Sequence, residues 1–255
     1  MRSLWTGSIS FGLVNIPVRL YSASPEEKLN LDMLHTTDHS PIRYARVCKA
    51  EEREVPYTEI VKGYKMGDEY VVLDDADFKK ANAKKTGSID IQSFAKLDEI
   101  DCIYFEKPYY IEPDKSAKKA YALLHTALVK SGTVGIATFV LRNRERLAAL
   151  KVHEHMLTLN QMRFASELAP LEKLSIPKDE KVSEKEVSMA MRLIDELTEP
   201  FRVEKYKDTY TDELRELIEK KARGEKVRPK GAAPKPTRVT DLSILLQRSL
   251  EAARK

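Results

Sequence analysis

The stretch from Trp5 to Tyr21, WTGSISFGLVNIPVRLY, constrains the fold more than any other part of the chain. Trp5, Ile9, Phe11 and Leu13 share one parity, and Val14, Ile16, Val18 and Leu20 take the other. Alternation with period 2 marks half-buried strands, because successive strand side chains point to opposite faces. The change of parity beside Gly12 predicts a bulge or a turn. Pro17 has no N–H to give to a ladder, which predicts an edge or bulged position. Further strands are predicted at 69–73, 88–94, 102–105, 134–141, 147–152 and 156–159, rich in β-branched or aromatic residues and bounded by Gly, Pro, Asp or Asn. Short strands without long helices between them predict an antiparallel barrel or sandwich rather than βαβ units.

Helices concentrate later. Ala117, Ala120, Tyr121, Leu124, Ala127 and Leu128 follow helical spacing, with Ser116 before and Gly132 after as boundary signals. Ser183 and Glu186 form a capping-box pattern ahead of Val187, Ala190, Met191, Ile194 and Leu197. Leu214, Leu217 and Ile218 predict a charged helix that stops at Gly224. The segment 224–238, with three prolines and two glycines, reads as a basic, extended linker. Beyond it Thr240 or Asp241 can cap a short helix carrying Leu242, Leu245, Leu246 and Leu250 on one stripe. So short a helix is marginal alone in water, so the stripe needs either a partner or its own core.

Charge sharpens this division. Of the 255 residues, 44 are Lys or Arg and 40 are Asp or Glu, for a net charge of +4. Residues 224–255 carry eight basic and three acidic side chains, net +5, which leaves the preceding 223 residues at −1. A polyanion bound by this near-neutral body has to meet a segregated basic face. Cys48 and Cys102 stand far apart without a CxxC, which predicts reduced thiols and a cytoplasmic protein. No apolar run suits a membrane span or a secretory signal.

Motifs for catalysis are absent: no phosphate loop, nucleophile elbow, HExxH, GxGxxG or KxDG-like nucleotidyl-transfer motif occurs, and no enzyme activity or cofactor is expected. His35, His39 and Cys48 lack a second cysteine to complete a zinc site, so no metal is expected. His153 and His155 would share a face of one strand, without an acidic partner for a catalytic dyad. Asp68, Glu69, Asp74, Asp75 and Asp77 read as a solvated loop around a strand, with a magnesium-dependent nuclease as the alternative.

The basic clusters say more. On an extended segment Arg142, Arg144 and Arg146 project to one side about 6.5–7 Å apart. Phosphates rise about 3.4 Å per nucleotide along a strand, so such a row reaches successive or alternate phosphates. The competing reading is a solvated hairpin tip near Asn143. Arg43, Arg46 and Lys49 form a second basic group in a polar stretch bracketed by Pro41 and Pro56. Neither group carries the aromatic pattern or GXXG loop of single-strand RNA binders. An RNA-binding barrel and a pure protein adaptor remain as alternatives.

Four blocks in register resemble the bacterial Ku family: W-T-G-S-I-S-F-G-L-V-N-I-P-V-R-L-Y from Trp5; I-V-K-G-Y-K from Ile60 with Y-V-V-L-D-D-A-D-F after it; Y-Y-I-E-P from Tyr109 with K-A-Y-A-L-L from Lys119; and T-F-V-L-R-N-R-E-R-L-A-A-L from Thr138. The resemblance implies a mixed, mainly β fold in which an antiparallel β-barrel core and a bridge segment form a dimeric ring, with C-terminal helices. It implies a homodimer that encircles double-stranded DNA ends in non-homologous end joining and recruits ligase D, in the cytoplasm at the nucleoid. Residues 1–223 would then be the core, 224–238 the linker and 239–255 the ligase-contacting helix. By similarity Leu34 to Val47 belongs to the bridge, Arg142, Arg144 and Arg146 to the DNA-facing surface, and the segment 239–255, with the stripe Leu242, Leu245, Leu246 and Leu250, to the ligase contact; Arg43, Arg46 and Lys49, which alone would pass for an ordinary loop, are expected as further DNA contacts.

Overall fold

Nine strands and five helices are described in the computed structural model, which covers residues 1–24, 29–81, 87–176, 182–226 and 242–253. The strands are β1 (Trp5–Phe11), β2 (Val14–Ser22), β3 (Lys62–Met66), β4 (Glu69–Leu73), β5 (Ser88–Lys96), β6 (Phe105–Pro113), β7 (Thr133–Leu141), β8 (Arg144–His153) and β9 (Met156–Met162). The helices are α1 (Asp75–Ala81), α2 (Lys118–Ser131), α3 (Glu184–Leu197), α4 (Thr209–Ala222) and α5 (Leu242–Ala253).

Seven strands close into a barrel in the order β1-β2-β6-β9-β8-β7-β5, while β3 and β4 form a separate hairpin. The barrel was expected to be antiparallel. Six of its neighbouring pairs are, but β1 and β5 run parallel, with Ile9 opposite Ile89. The reason is arithmetic: alternating directions cannot close around an odd number of strands, so one pair must be parallel.

The inward parity carries the core. Ile9, Ile16, Val18, Leu20, Ile89, Ile111, Phe139, Ala148, Leu150, Leu157 and Leu159 are almost wholly buried in one cluster. The parity change at Gly12 is the β1–β2 turn, and Leu13 lies fully exposed in it. Pro17 sits in a strand with two neighbours rather than at an edge. Pairing to β6 starts only at Val18, so the missing N–H interrupts no rung on that side.

The strand predicted at 102–105 is a short 3₁₀ turn over Cys102–Tyr104, because the Asp101 carboxylate accepts a hydrogen bond from the Ile103 N–H at 3.0 Å. The strand begins at Phe105 instead, with a register shift between Phe105 and Lys107. The acidic loop after β4 is the start of α1. Asp77 N–H donates to Asp74 Oδ1 at 2.8 Å, and Asp74 N–H donates to Asp77 Oδ2 at 3.1 Å. Those carboxylates cap a helix. Among the described residues no group of three His, Cys, Asp or Glu side chains could hold a metal ion.

Helix α2 adds Leu124 and Leu128 to the barrel cluster. Tyr121 ties it down, donating to the Ile111 carbonyl at 3.1 Å and accepting from the Leu157 N–H at 2.7 Å. Strand β7 starts just after α2 and runs away from it for nine residues, about 30 Å, so its far end lies at the opposite mouth of the barrel.

The chain divides into two compact units, Met1–Leu171 and Glu172–Lys255. In the second, Ser183 and Glu186 make the expected capping box at α3: Ser183 N–H donates to Glu186 Oε2 at 3.0 Å and Glu186 N–H to Ser183 Oγ at 3.3 Å. Asp208 caps α4 by accepting from the Thr211 N–H at 3.0 Å. Helix α5 packs against α3, with Leu246 and Leu250 half-buried and Leu242 and Leu245 exposed. Most of the predicted linker, and the predicted cap at Thr240 or Asp241, lie outside the described residues. No described helix is long and apolar enough to cross a membrane.

Candidate nucleic-acid interface

Strands β7 and β8 meet in a two-residue turn, Arg142–Asn143, with φ of 52° and 61°. Both residues in the left-handed region make the tight hairpin turn whose twist suits antiparallel strands. The three arginines therefore do not share one extended row. Arg144 and Arg146 keep a common parity on β8, while Arg142 projects from the turn. Arg144 is exposed.

Arg146 continues the inward parity of Ala148 and Leu150 and lies opposite Phe139. It is half-buried, and its Nε is buried without a hydrogen-bond partner among the described residues. A buried donor without an acceptor costs about 1–3 kcal/mol. With Arg142, it lines a pocket of about 210 Å³ that also contains Glu106, Lys107, Tyr109 and Gln161. Gln161 is held at both ends of its amide, accepting from the Tyr109 hydroxyl at 3.3 Å and donating to Glu106 at 2.8 Å. Burial pushes the Tyr109 phenol above its ordinary value of 10.0, and the nearby charges of Arg146 and Arg142 oppose that rise.

None of Glu106, Lys107, Tyr109 and Gln161 stood out in the sequence as a site residue. The signal was there for two of them: Gln161 follows Leu157 and Leu159 on the inward parity of β9, and Lys107 precedes Tyr109 and Ile111 on that of β6. A polar residue that ends an apolar period-2 run marks the mouth of a barrel. A larger cleft of about 590 Å³, with Tyr21, Tyr110 and Tyr121 in its wall, has no Lys or Arg lining and does not suit a polyanion.

The second basic group lies on a different segment of the same unit. Backbone pairing of Leu34 with Pro41 and of Val47 with Glu54 folds residues 33–55 into two tight loops. Arg43 pairs with Glu54 at 3.2 Å, the Arg46 guanidinium lies 5.1 Å from the Tyr57 ring centroid, and Lys49 is exposed in the turn after Cys48. His35 Nδ1 lies 3.0 Å from Asp38. His153 and His155 do not share a strand: β8 ends at His153, and His155 lies beyond Glu154 in the turn to β9.

Comparison with known proteins extends over nearly the whole chain. Residues 10–189 match the family described as Ku, Ku70/Ku80 beta-barrel domain. A protein of Opitutus terrae named non-homologous end joining protein Ku is 46% identical, the alignment covering 98% of this chain and 91% of that relative. Proteins of the same name from Symbiobacterium thermophilum and an Anaeromyxobacter species are 42% and 40% identical over 99% and 100% of this chain, and over 63% and 86% of their own lengths.

Proposed function

The chain belongs to the Ku family, and from that premise we propose that it binds double-stranded DNA ends as a homodimeric ring in non-homologous end joining and recruits ligase D. The observation that carries this reading is the match to relatives named for end joining along almost all of the chain. In the proposed assembly residues 1–223 act as the core, 224–238 as the tether and 239–255 as the ligase-contacting helix, through Leu242, Leu245, Leu246 and Leu250.

Two physical features support it. Leu34, Ile42, Tyr44 and Val47 are all exposed on the segment proposed as the bridge. A cluster of large apolar side chains facing water favours burial against another surface, and a second copy of the chain supplies one. The ends of broken DNA have no common sequence, so a binder must read phosphates and shape. Exposed Arg144, Arg142 in its turn, and the cations at Arg43, Arg46 and Lys49 suit that task. A ring supplies end preference by geometry, since it can be threaded only where the duplex stops.

The test is a band-shift comparison of linear duplex with a covalently closed circle of the same sequence, over a range of salt. Linear DNA should bind much more tightly, and affinity should fall steeply with salt as phosphate contacts release counterions. Equal affinity for circle and linear fragment would sink the threading mechanism.

A further inference from the structure

The pocket at the barrel mouth has features that a row of solvent-facing phosphate contacts does not need. Its floor is made of buried groups: Tyr109 is 4% and Gln161 5% exposed. It therefore ends blind. Three cations, Lys107, Arg142 and Arg146, face it with one carboxylate, Glu106, a surplus of two positive charges. Glu106 is engaged by Gln161, and among the described residues neither Arg142 nor Arg146 has an ion-pair partner. The Arg146 Nε has no acceptor among the described residues, so no hydrogen bond from it fixes the head group to the wall. At about 210 Å³ the space is smaller than the roughly 300–1,000 Å³ that holds drug-sized ligands.

We propose that this pocket is a binding site for a single phosphate dianion, either a phosphate monoester or inorganic phosphate, held between Arg142 and Arg146. Charge favours a dianion, which balances the surplus of two. Shape favours a monoester over a diester. A phosphate inside a continuing strand must leave its site in two directions, whereas a blind pocket lets one ester arm out. The guanidinium fork of an arginine matches two phosphate oxygens at once. Gln161 and Tyr109 hold the wall rigid through their mutual hydrogen bond.

The site is separable from end binding, because inorganic phosphate alone tests it. Full-length protein is titrated with inorganic phosphate by calorimetry and by phosphorus NMR, at constant ionic strength set with chloride. The expected result is saturable binding, one phosphate per chain. Arg142→Asn should weaken it by about tenfold or more, and Asn suits the left-handed backbone at that position. Arg146→Lys, which keeps the charge and loses the fork, should weaken it comparably. Binding that does not saturate, or is undiminished in Arg142→Asn with an unchanged melting temperature, would overturn the proposal.

Duplexes with 5′-phosphate and 5′-hydroxyl ends then identify the source of the ligand. Tighter binding of the phosphorylated ends, erased by added inorganic phosphate, supports a strand terminus as the occupant. Equal binding of both ends, with the phosphate titration intact, supports a free phosphate. A protein that binds phosphate in this pocket but shows no preference for linear DNA would refute the end-binding reading and leave the pocket standing.

Discussion

Phe139 and Arg146 face each other across the β7–β8 ladder, so a single rung joins the apolar interior of the barrel to its charged mouth. The pairing makes the two arginines of β8 unequal. Arg144, two residues nearer the hairpin tip, is free in solvent, whereas Arg146 belongs partly to the core wall.

This inequality sharpens the DNA-binding test. Arg144→Ala should weaken binding to all duplex sequences alike and make the salt slope shallower by about one unit, with the melting temperature unchanged. The triple replacement of Arg142, Arg144 and Arg146 by Glu should abolish end binding, but the change at Arg146 also places an acid beside Tyr109. Arg144→Ala is therefore the cleaner variant. An unaltered salt slope would return Arg144 to the standing of a solvated tip residue.

Gly7 should not tolerate a side chain. A Cβ there would lie 2.3 Å from Cη2 of the Trp5 indole and 2.5 Å from the Gly87 carbonyl oxygen. The Trp5 ring also packs edge-on against Phe139, with centroids 6.4 Å apart, so it cannot swing away without disturbing the core. Gly7→Ala should cost about 1–3 kcal/mol, read from the denaturation midpoint. A variant as stable as the parent would show that the indole has room to move.

The stripe on α5 should divide by burial. Leu246→Asp places a carboxylate at a half-buried position of the helix that packs on α3, and should loosen that helix pair. Leu245→Asp alters a position that is 39% exposed, and should lower melting less than Leu246→Asp while reducing stimulation of ligase D. Stimulation that is normal in Leu245→Asp and falls in Leu246→Asp only as far as stability does would place the recruiting surface elsewhere.

Acid should weaken the helices of the second unit. Hydrogen bonds from the Ser183 hydroxyl and backbone hold Glu186 below its ordinary 4.5, and those from Thr211 hold Asp208 below 3.8. A carboxylate with a depressed value stabilises the folded state above its unfolded value, and that contribution is lost as pH falls through the folded one. Helicity should therefore decline below about pH 4.5 and then further below 3.8. Ser183→Ala loses the hydroxyl and keeps the backbone N–H, so it should shrink the Glu186 part of this pH dependence, as followed by circular dichroism. An identical acid transition in the variant would rule out the Ser183 hydroxyl as its source.

Local signals made much of this protein legible. Parity marked the inward faces of β1 and β2 because a strand alternates whatever its neighbours do, and Ser183, Glu186 and Gly132 marked helix ends because capping is satisfied within a few residues. Four family blocks in order also identified the family. What stayed hidden was relational. That β1 closes the barrel against β5, that Pro17 falls where β6 has not yet begun to pair, and that Arg146 meets Tyr109 and Gln161 from two other strands all depend on pairing between distant segments. Alternation states which residues share a face. Only closure of the barrel decides which faces enclose a common space, because that contact energy is absent until strands far apart in sequence are brought together.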